Sequence, residues 1–293
     1  MTQSSEFLLF AQHGWADTHH AIQSLAQALA PHASIIAPDL GWLKTWWRIE
    51  PLITTVEQAA TQTLHTHPDR PWRIVGHSMG GLIWLELLHR HPEWWGRVEA
   101  LVLVASPVGG ADLGRILDPL GWGIGIATDL GKNRRAIASQ IAAQIPTLSI
   151  AGDIDGGSDG TVLVQTTRFD HATRQTLPYA HAALKNHPDL IPLIHHFWQH
   201  PTIAPSSPPR DAGNAIAQLQ TVPGITDAHP RDAARATIHH TFPDGSTLRR
   251  WQNPLGVLHV FVVDGDGGVQ YGGFVGRRDR AALLAVLDRL TSA

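Results

Sequence analysis

The chain has no cysteine in its 293 residues, which excludes disulfides, thiolate metal sites and a cysteine nucleophile at once. It also lacks an apolar stretch long enough to span a membrane. The first six residues carry no Lys or Arg, and the apolar run behind them, Phe7-Leu8-Leu9-Phe10-Ala11, is too short for a signal core. A cytoplasmic protein without an integral membrane segment is the expectation. Charge of one sign is scarce too, with 22 Lys and Arg against 25 Asp and Glu and a formal net charge of −3. Basic residues are scattered, densest at Arg277-Arg278 and Arg280, so no nucleic-acid partner is expected. No dinucleotide or phosphate-binding glycine loop is present, because Gly121, Gly123 and Gly125 lack a strand-to-helix setting. The 19 histidines include the pairs His19-His20, His195-His196 and His239-His240, whose members point in different directions on any regular element. There is no His-Glu-x-x-His spacing, so neither a metal nor another cofactor is expected.

A hydrophobic content of 43% is that of a globular chain, and the length suits one large α/β domain plus a small appendage. Strand-like runs at 7–11, 34–37, 72–75, 98–105 and 146–151 alternate with helical patterns. Ile22, Leu25, Ala26 and Leu29 recur at helical spacing before Pro31, and Ile53, Val56, Ala60 and Leu64 do so before Pro68. The run from Ala100 to Ala105 is continuously apolar, as in a parallel strand covered on both faces. This order predicts a doubly wound, mostly parallel sheet over residues 1–200, closed by a helix over 189–198. Residues 107–145 are apolar and glycine-interleaved, and read either as a lid or as packed helix and loop. Residues 201–212 read as a Pro- and Ser-rich linker. Beyond them, Pro243-Asp244-Gly245 and the Asp-Gly turn within 264–268 separate strand-like runs, and Leu283, Leu284, Leu287 and Leu290 mark a last helix. Residues 213–293 are therefore expected to form a small antiparallel α+β module, which leaves open a protein partner or a dimer contact through it.

The most informative residue is Ser78. It sits in Gly76-His77-Ser78-Met79-Gly80-Gly81, directly after the strand-like Trp72-Arg73-Ile74-Val75 and before a helical run. A serine with glycines at −2 and +2 between a strand and a helix has the signature of a nucleophile elbow. The glycines let strand and helix approach, and the turn pushes the hydroxyl outward over a helix N-terminus. A serine hydroxyl needs a base within hydrogen-bond reach, oriented in turn by a carboxylate. Downstream, the residues alone leave Asp153, Asp155 and Asp159 open as the acid, and His171, His181 and His187 open as the base. His77 reads as a packing and hydrogen-bonding residue. Trp15, Trp42, Trp46 and Trp47 are candidates for an apolar rim among the 11 tryptophans.

Four stretches together resemble the α/β-hydrolase family, most closely its small serine lipase and esterase branch, over residues of about 7–198. They are His13-Gly14-Trp15, the elbow, Ser158-Asp159-Gly160-Thr161-Val162, and Tyr179-Ala180-His181-Ala182-Ala183-Leu184. The resemblance implies the α/β-hydrolase fold, with Ser78 as nucleophile, Asp159 as acid and His181 as base. It also implies an oxyanion hole from the backbone N–H groups of Trp15 and Met79. The family's usual glycine before the base is Ala180 here, a mild departure that bears mainly on the geometry of that loop. The implied activity is hydrolysis of a small-molecule or lipid ester with an apolar acyl group, through an acyl-enzyme. The same residues suit a thioesterase or acyltransferase, and the fold alone suits a non-catalytic scaffold.

Overall fold

The structure is a computed structural model that describes residues 7–110, 126–206 and 211–292. The chain divides into two compact units, Met1–Ile154 with Asp159–Pro205, and Asp155–Ser158 with Ser206–Ala293.

The first unit is built on strands β1 (Leu8–Gln12), β2 (Ser34–Ile36), β3 (Trp72–His77), β4 (Val98–Val104), β5 (Thr147–Gly152) and β6 (Ala172–Leu177). They form one sheet in the order β2-β1-β3-β4-β5-β6, and every pairing is parallel. Successive side chains on a strand face opposite ways. Accordingly, Leu8 and Phe10 enter one apolar layer while Leu9 and Ala11 enter the other. The first layer is completed by helices α2 (Glu50–Thr66), α3 (Met79–Arg90) and α5 (Arg135–Ala142). The second is completed by α1 (His19–Leu29) and α6 (Leu190–Gln199). A short helix, α4 (Ile126–Leu130), precedes α5. Burial on both faces is why the strands read as apolar runs rather than alternating ones.

Local chemistry sets the helix ends. Pro51 lies in the first turn of α2, where a missing N–H costs nothing, and α2 stops at His67, whose successor is Pro68. Within the first layer, the Phe10 ring packs edge-on against Trp72 and Trp84, with centroids 4.9 Å apart in each case. The described part of 107–145 is core-packed, with Val108, Ile126, Leu130, Ala138, Ile141 and Ala142 all buried. Ile116, Leu117, Leu120, Trp122, Ile124 and the three glycines named above lie outside the described residues.

The second unit carries a separate sheet of β7 (Thr226–Asp227), β8 (Thr237–Thr241), β9 (Thr247–Gln252), β10 (Leu258–Val263) and β11 (Val269–Val275). Its order is β7-β11-β10-β9-β8, with antiparallel pairing throughout. Val260 and Val262 share an apolar cluster with residues of α7 (Asp211–Gln220) and α8 (Arg280–Ser292). Phe261 and Val263 face the other way, onto Ala228 and Ala233. The two-residue β7 escapes sequence patterning because it is too short to show a period. Helix α7 begins at Asp211, inside the stretch read as linker.

Candidate active site

Ser78 stands at the carboxyl end of β3, in the centre of the parallel sheet, where such sheets place their function. Its backbone is strained, with φ 54° and ψ −123°, outside the regions open to ordinary L-residues. The chain holds it there with a hydrogen bond from the Ser78 N–H to the Val104 carbonyl at 2.8 Å. Close approach explains the flanking glycine: a Cβ on Gly76 would lie 2.6 Å from the Gly81 backbone.

Three side chains converge here. His181 Nε2 lies 3.1 Å from Ser78 Oγ, and His181 Nδ1 lies 2.7 Å from Asp159 Oδ2. Asp159 is buried, and its other oxygen accepts the backbone N–H groups of Thr161 at 2.9 Å and Val162 at 2.6 Å. The Asp159 carbonyl accepts the His181 N–H at 3.0 Å, so the loops of Asp159 and His181 are joined twice. Of the other acids, Asp155 accepts the Ser158 N–H and hydroxyl at 2.8 and 2.9 Å, and Asp153 donates its backbone N–H to Leu177. Of the other histidines, His171 sits at φ 67° with Nδ1 near the Ala204 carbonyl, and His187 stacks on Tyr179 with centroids 3.7 Å apart. Ala180 is not among the described residues with positive φ, so this loop does not require the glycine that the resemblance led one to look for.

The loop after β1 lies against the elbow. A Cβ on Gly14 would meet Ser78 Cβ at 2.8 Å and the Met79 nitrogen at 3.3 Å, so the chain leading into Trp15 runs beside Ser78. Met79 opens α3, where N–H groups have no intrahelical acceptor. His13 is buried and fixed as one neutral tautomer: Nδ1–H donates to the Gly14 carbonyl at 3.0 Å, and Nε2 accepts the Leu40 N–H at 3.0 Å. Burial holds its pKa below the ordinary histidine value, in keeping with that tautomer. His77 is also buried; its Nε2–H donates to the His181 carbonyl at 3.2 Å, linking the residue before Ser78 to His181. Burial, reinforced by charge on His181, pushes the His77 pKa well down.

Sequence reasoning missed the support of the loop after Trp15, which comes from Thr45 and Trp42. Contacts spanning 26 to 29 residues leave no local signal. Among the described residues, no group of three or more His, Cys, Asp and Glu could hold a metal ion, and no helix is long and apolar enough to cross a membrane.

A hydroxyl hydrogen-bonded to an imidazole that is itself held by a buried carboxylate is the arrangement that activates serine at neutral pH. Together with the six-stranded parallel sheet, it is set on the α/β-hydrolase fold. Residues 8–143 match the family described as "alpha/beta hydrolase fold", in keeping with the parallel sheet and its helices. The Bacillus licheniformis lipase BlEst2 in mature form is similar in structure at 16% identity and TM-score 0.53, over 69% of this chain and 94% of that one. In propeptide form the same lipase is similar at 12% identity and TM-score 0.56, over 93% of this chain and 71% of that one. The Listeria innocua lin2722 gene product is similar at 14% identity and TM-score 0.51, over 70% of this chain and 99% of that one. At such identities the likeness concerns the fold. No curated protein matches the chain in sequence.

Proposed function

We propose that this protein is a serine hydrolase that cleaves carboxylic esters bearing an apolar acyl group. One observation carries the reading: the unbroken hydrogen-bonded relay from Ser78 Oγ through both nitrogens of His181 to buried Asp159. Ser78 Oγ adds to the acyl carbon as its proton passes to His181 Nε2. The carbonyl oxygen becomes an oxyanion that accepts the N–H groups of Trp15 and Met79, each donor worth about 3 kcal/mol in such sites. Collapse breaks the bond to the alcohol oxygen, which leaves with the proton from His181. Water then adds to the acyl-enzyme and gives its proton to His181; the second collapse returns a proton to Ser78 and frees the acid. The Asp159 carboxylate accepts the Nδ1 proton of the resting imidazole and so leaves Nε2 to accept from Ser78. The cluster of Trp15, next in the chain to Gly14, with the exposed Trp42 and Trp46 rings supports an apolar acyl group.

The test is labelling by a fluorophosphonate together with hydrolysis of p-nitrophenyl esters. Wild-type protein is expected to take label at Ser78 and to turn over esters, and Ser78→Ala to do neither. A folded wild type that takes no label would sink the reading and leave the fold as a scaffold. Turnover of thioesters far ahead of oxygen esters would reassign the substrate.

A further inference from the structure

Past β2 the chain exposes four large apolar side chains within six residues. Trp42 is 47% exposed, Leu43 71%, Trp46 38% and Trp47 73%. Single exposed apolar residues need no explanation, whereas a contiguous group marks a binding surface. Its place identifies the ligand. The Trp46 ring packs edge-on to Trp15 with centroids 4.5 Å apart, and Trp42 lies 5.7 Å from Trp46. Trp15 follows Gly14, which abuts Ser78. The Trp15, Trp46 and Trp42 rings thus form a connected aromatic row whose first member belongs to the residue after Gly14.

The same segment holds the loop that bears the proposed oxyanion donor. Buried Thr45 donates its hydroxyl proton to the Trp42 carbonyl at 2.7 Å and accepts the Ala16 N–H at 3.1 Å. Trp42 Nε1–H donates to the Ala16 carbonyl at 3.0 Å. Ala16 sits at φ 50°, a conformation that disfavours a residue with a Cβ, and both of its backbone polar groups end on residues 42–45.

We infer that residues 42–47 are an aromatic platform that binds the acyl chain of the substrate and, through Thr45 and Trp42, positions the Trp15 amide for the oxyanion. This inference rests on the ester-hydrolase reading and names its specificity element. Leu43 and Trp47 supply platform surface, and Thr45 is a positioning residue.

The experiment measures kcat and KM on p-nitrophenyl esters from acetate to decanoate. The double variant Leu43→Ser, Trp47→Ser alters mostly exposed side chains, so it should fold, which circular dichroism checks. Its decanoate-to-acetate ratio of kcat/KM should fall about tenfold, the scale of about two methylenes losing their apolar surroundings. Thr45→Val should lower kcat on every chain length by about tenfold with little change in KM, and Thr45→Ser, which keeps the hydroxyl, should restore it. An unchanged ratio in the double variant, or an unchanged kcat in Thr45→Val, would overturn the platform. So would a double variant that no longer sediments with phosphatidylcholine vesicles while its ratio on soluble esters stays as in wild type; the patch would then serve a lipid surface. Wild type runs in parallel. If it takes no fluorophosphonate, the hydrolase reading itself fails, whereas a labelled and active wild type with an unchanged variant ratio sinks the platform alone.

Discussion

Replacing Asp159 by Asn separates orientation of the imidazole from integrity of the loop. One carboxylate oxygen accepts the Thr161 and Val162 N–H groups at 2.9 and 2.6 Å, and the other accepts His181 Nδ1–H at 2.7 Å. Asparagine has a single carbonyl oxygen. If that oxygen stays on the two amides, its NH2 group faces Nδ1, which must give up its proton. The imidazole then carries its proton on Nε2, where the Ser78 hydroxyl requires an acceptor. In a Ser-His-Asp site this tautomer error lowers kcat by about 10⁴, or about 5 kcal/mol of barrier. The loop amides remain paired, so the melting temperature should stay within about 3 °C of wild type. Asp159→Ala instead strands both amides, at about 1–3 kcal/mol each, and should be less stable than Asp159→Asn by about 2–6 kcal/mol. Initial rates on p-nitrophenyl butyrate and urea midpoints of both variants decide the matter. An Asn variant within tenfold of wild-type kcat, or two equally stable variants, would refute the reasoning.

Ser78→Gly should abolish turnover yet raise stability by about 1 kcal/mol, because glycine tolerates φ 54°; a lowered melting temperature would count against backbone strain at the elbow. Both ring nitrogens of His91 meet carboxylates, Glu57 at 2.6 Å and Glu93 at 2.8 Å. Burial lowers its pKa, but these partners outweigh burial and hold it above the ordinary value. A raised folded-state pKa gives stabilisation that is complete below the unfolded value of about 6.5 and is lost as pH rises through the folded value. The melting-temperature gap between wild type and His91→Gln should therefore narrow on the alkaline side, and a gap independent of pH would refute it. His77 runs the opposite way: with its folded-state pKa depressed, its contribution is present above about pH 6.5 and fades as pH falls towards the folded value. His77→Asn keeps a donor for the His181 carbonyl without titrating, so its urea midpoint should decline less steeply in acid than that of wild type. Trp84→Ala removes a fully buried ring packed on Phe10 and should cost about 3–5 kcal/mol by urea titration.

Ser78 and the parallel core were legible in the chain because each has a local cause. The elbow needs small residues where strand and helix touch, and strands covered on both faces need apolar residues at every position. The acid was not legible in this way. Asp153, Asp155 and Asp159 fall within seven residues of similar composition, and resemblance rather than spacing favoured Asp159. In the structure the Asp155 carboxylate turns to Ser158 while Asp159 turns to His181. The support of Ala16 by Thr45 and Trp42 was invisible for a related reason, since it joins loops after different strands.

The sequence by itself determined the strained serine turn and the sheet that carries it, since sterics and burial act residue by residue. Only the tertiary structure decided which imidazole and which carboxylate meet that serine. Positions 78 and 181 are 103 residues apart, and their 3.1 Å separation depends on the strand order β3-β4-β5-β6, which places the loops after these strands along one edge of the sheet. That order follows from how crossovers pack over the whole sheet, not from the preference of any short segment.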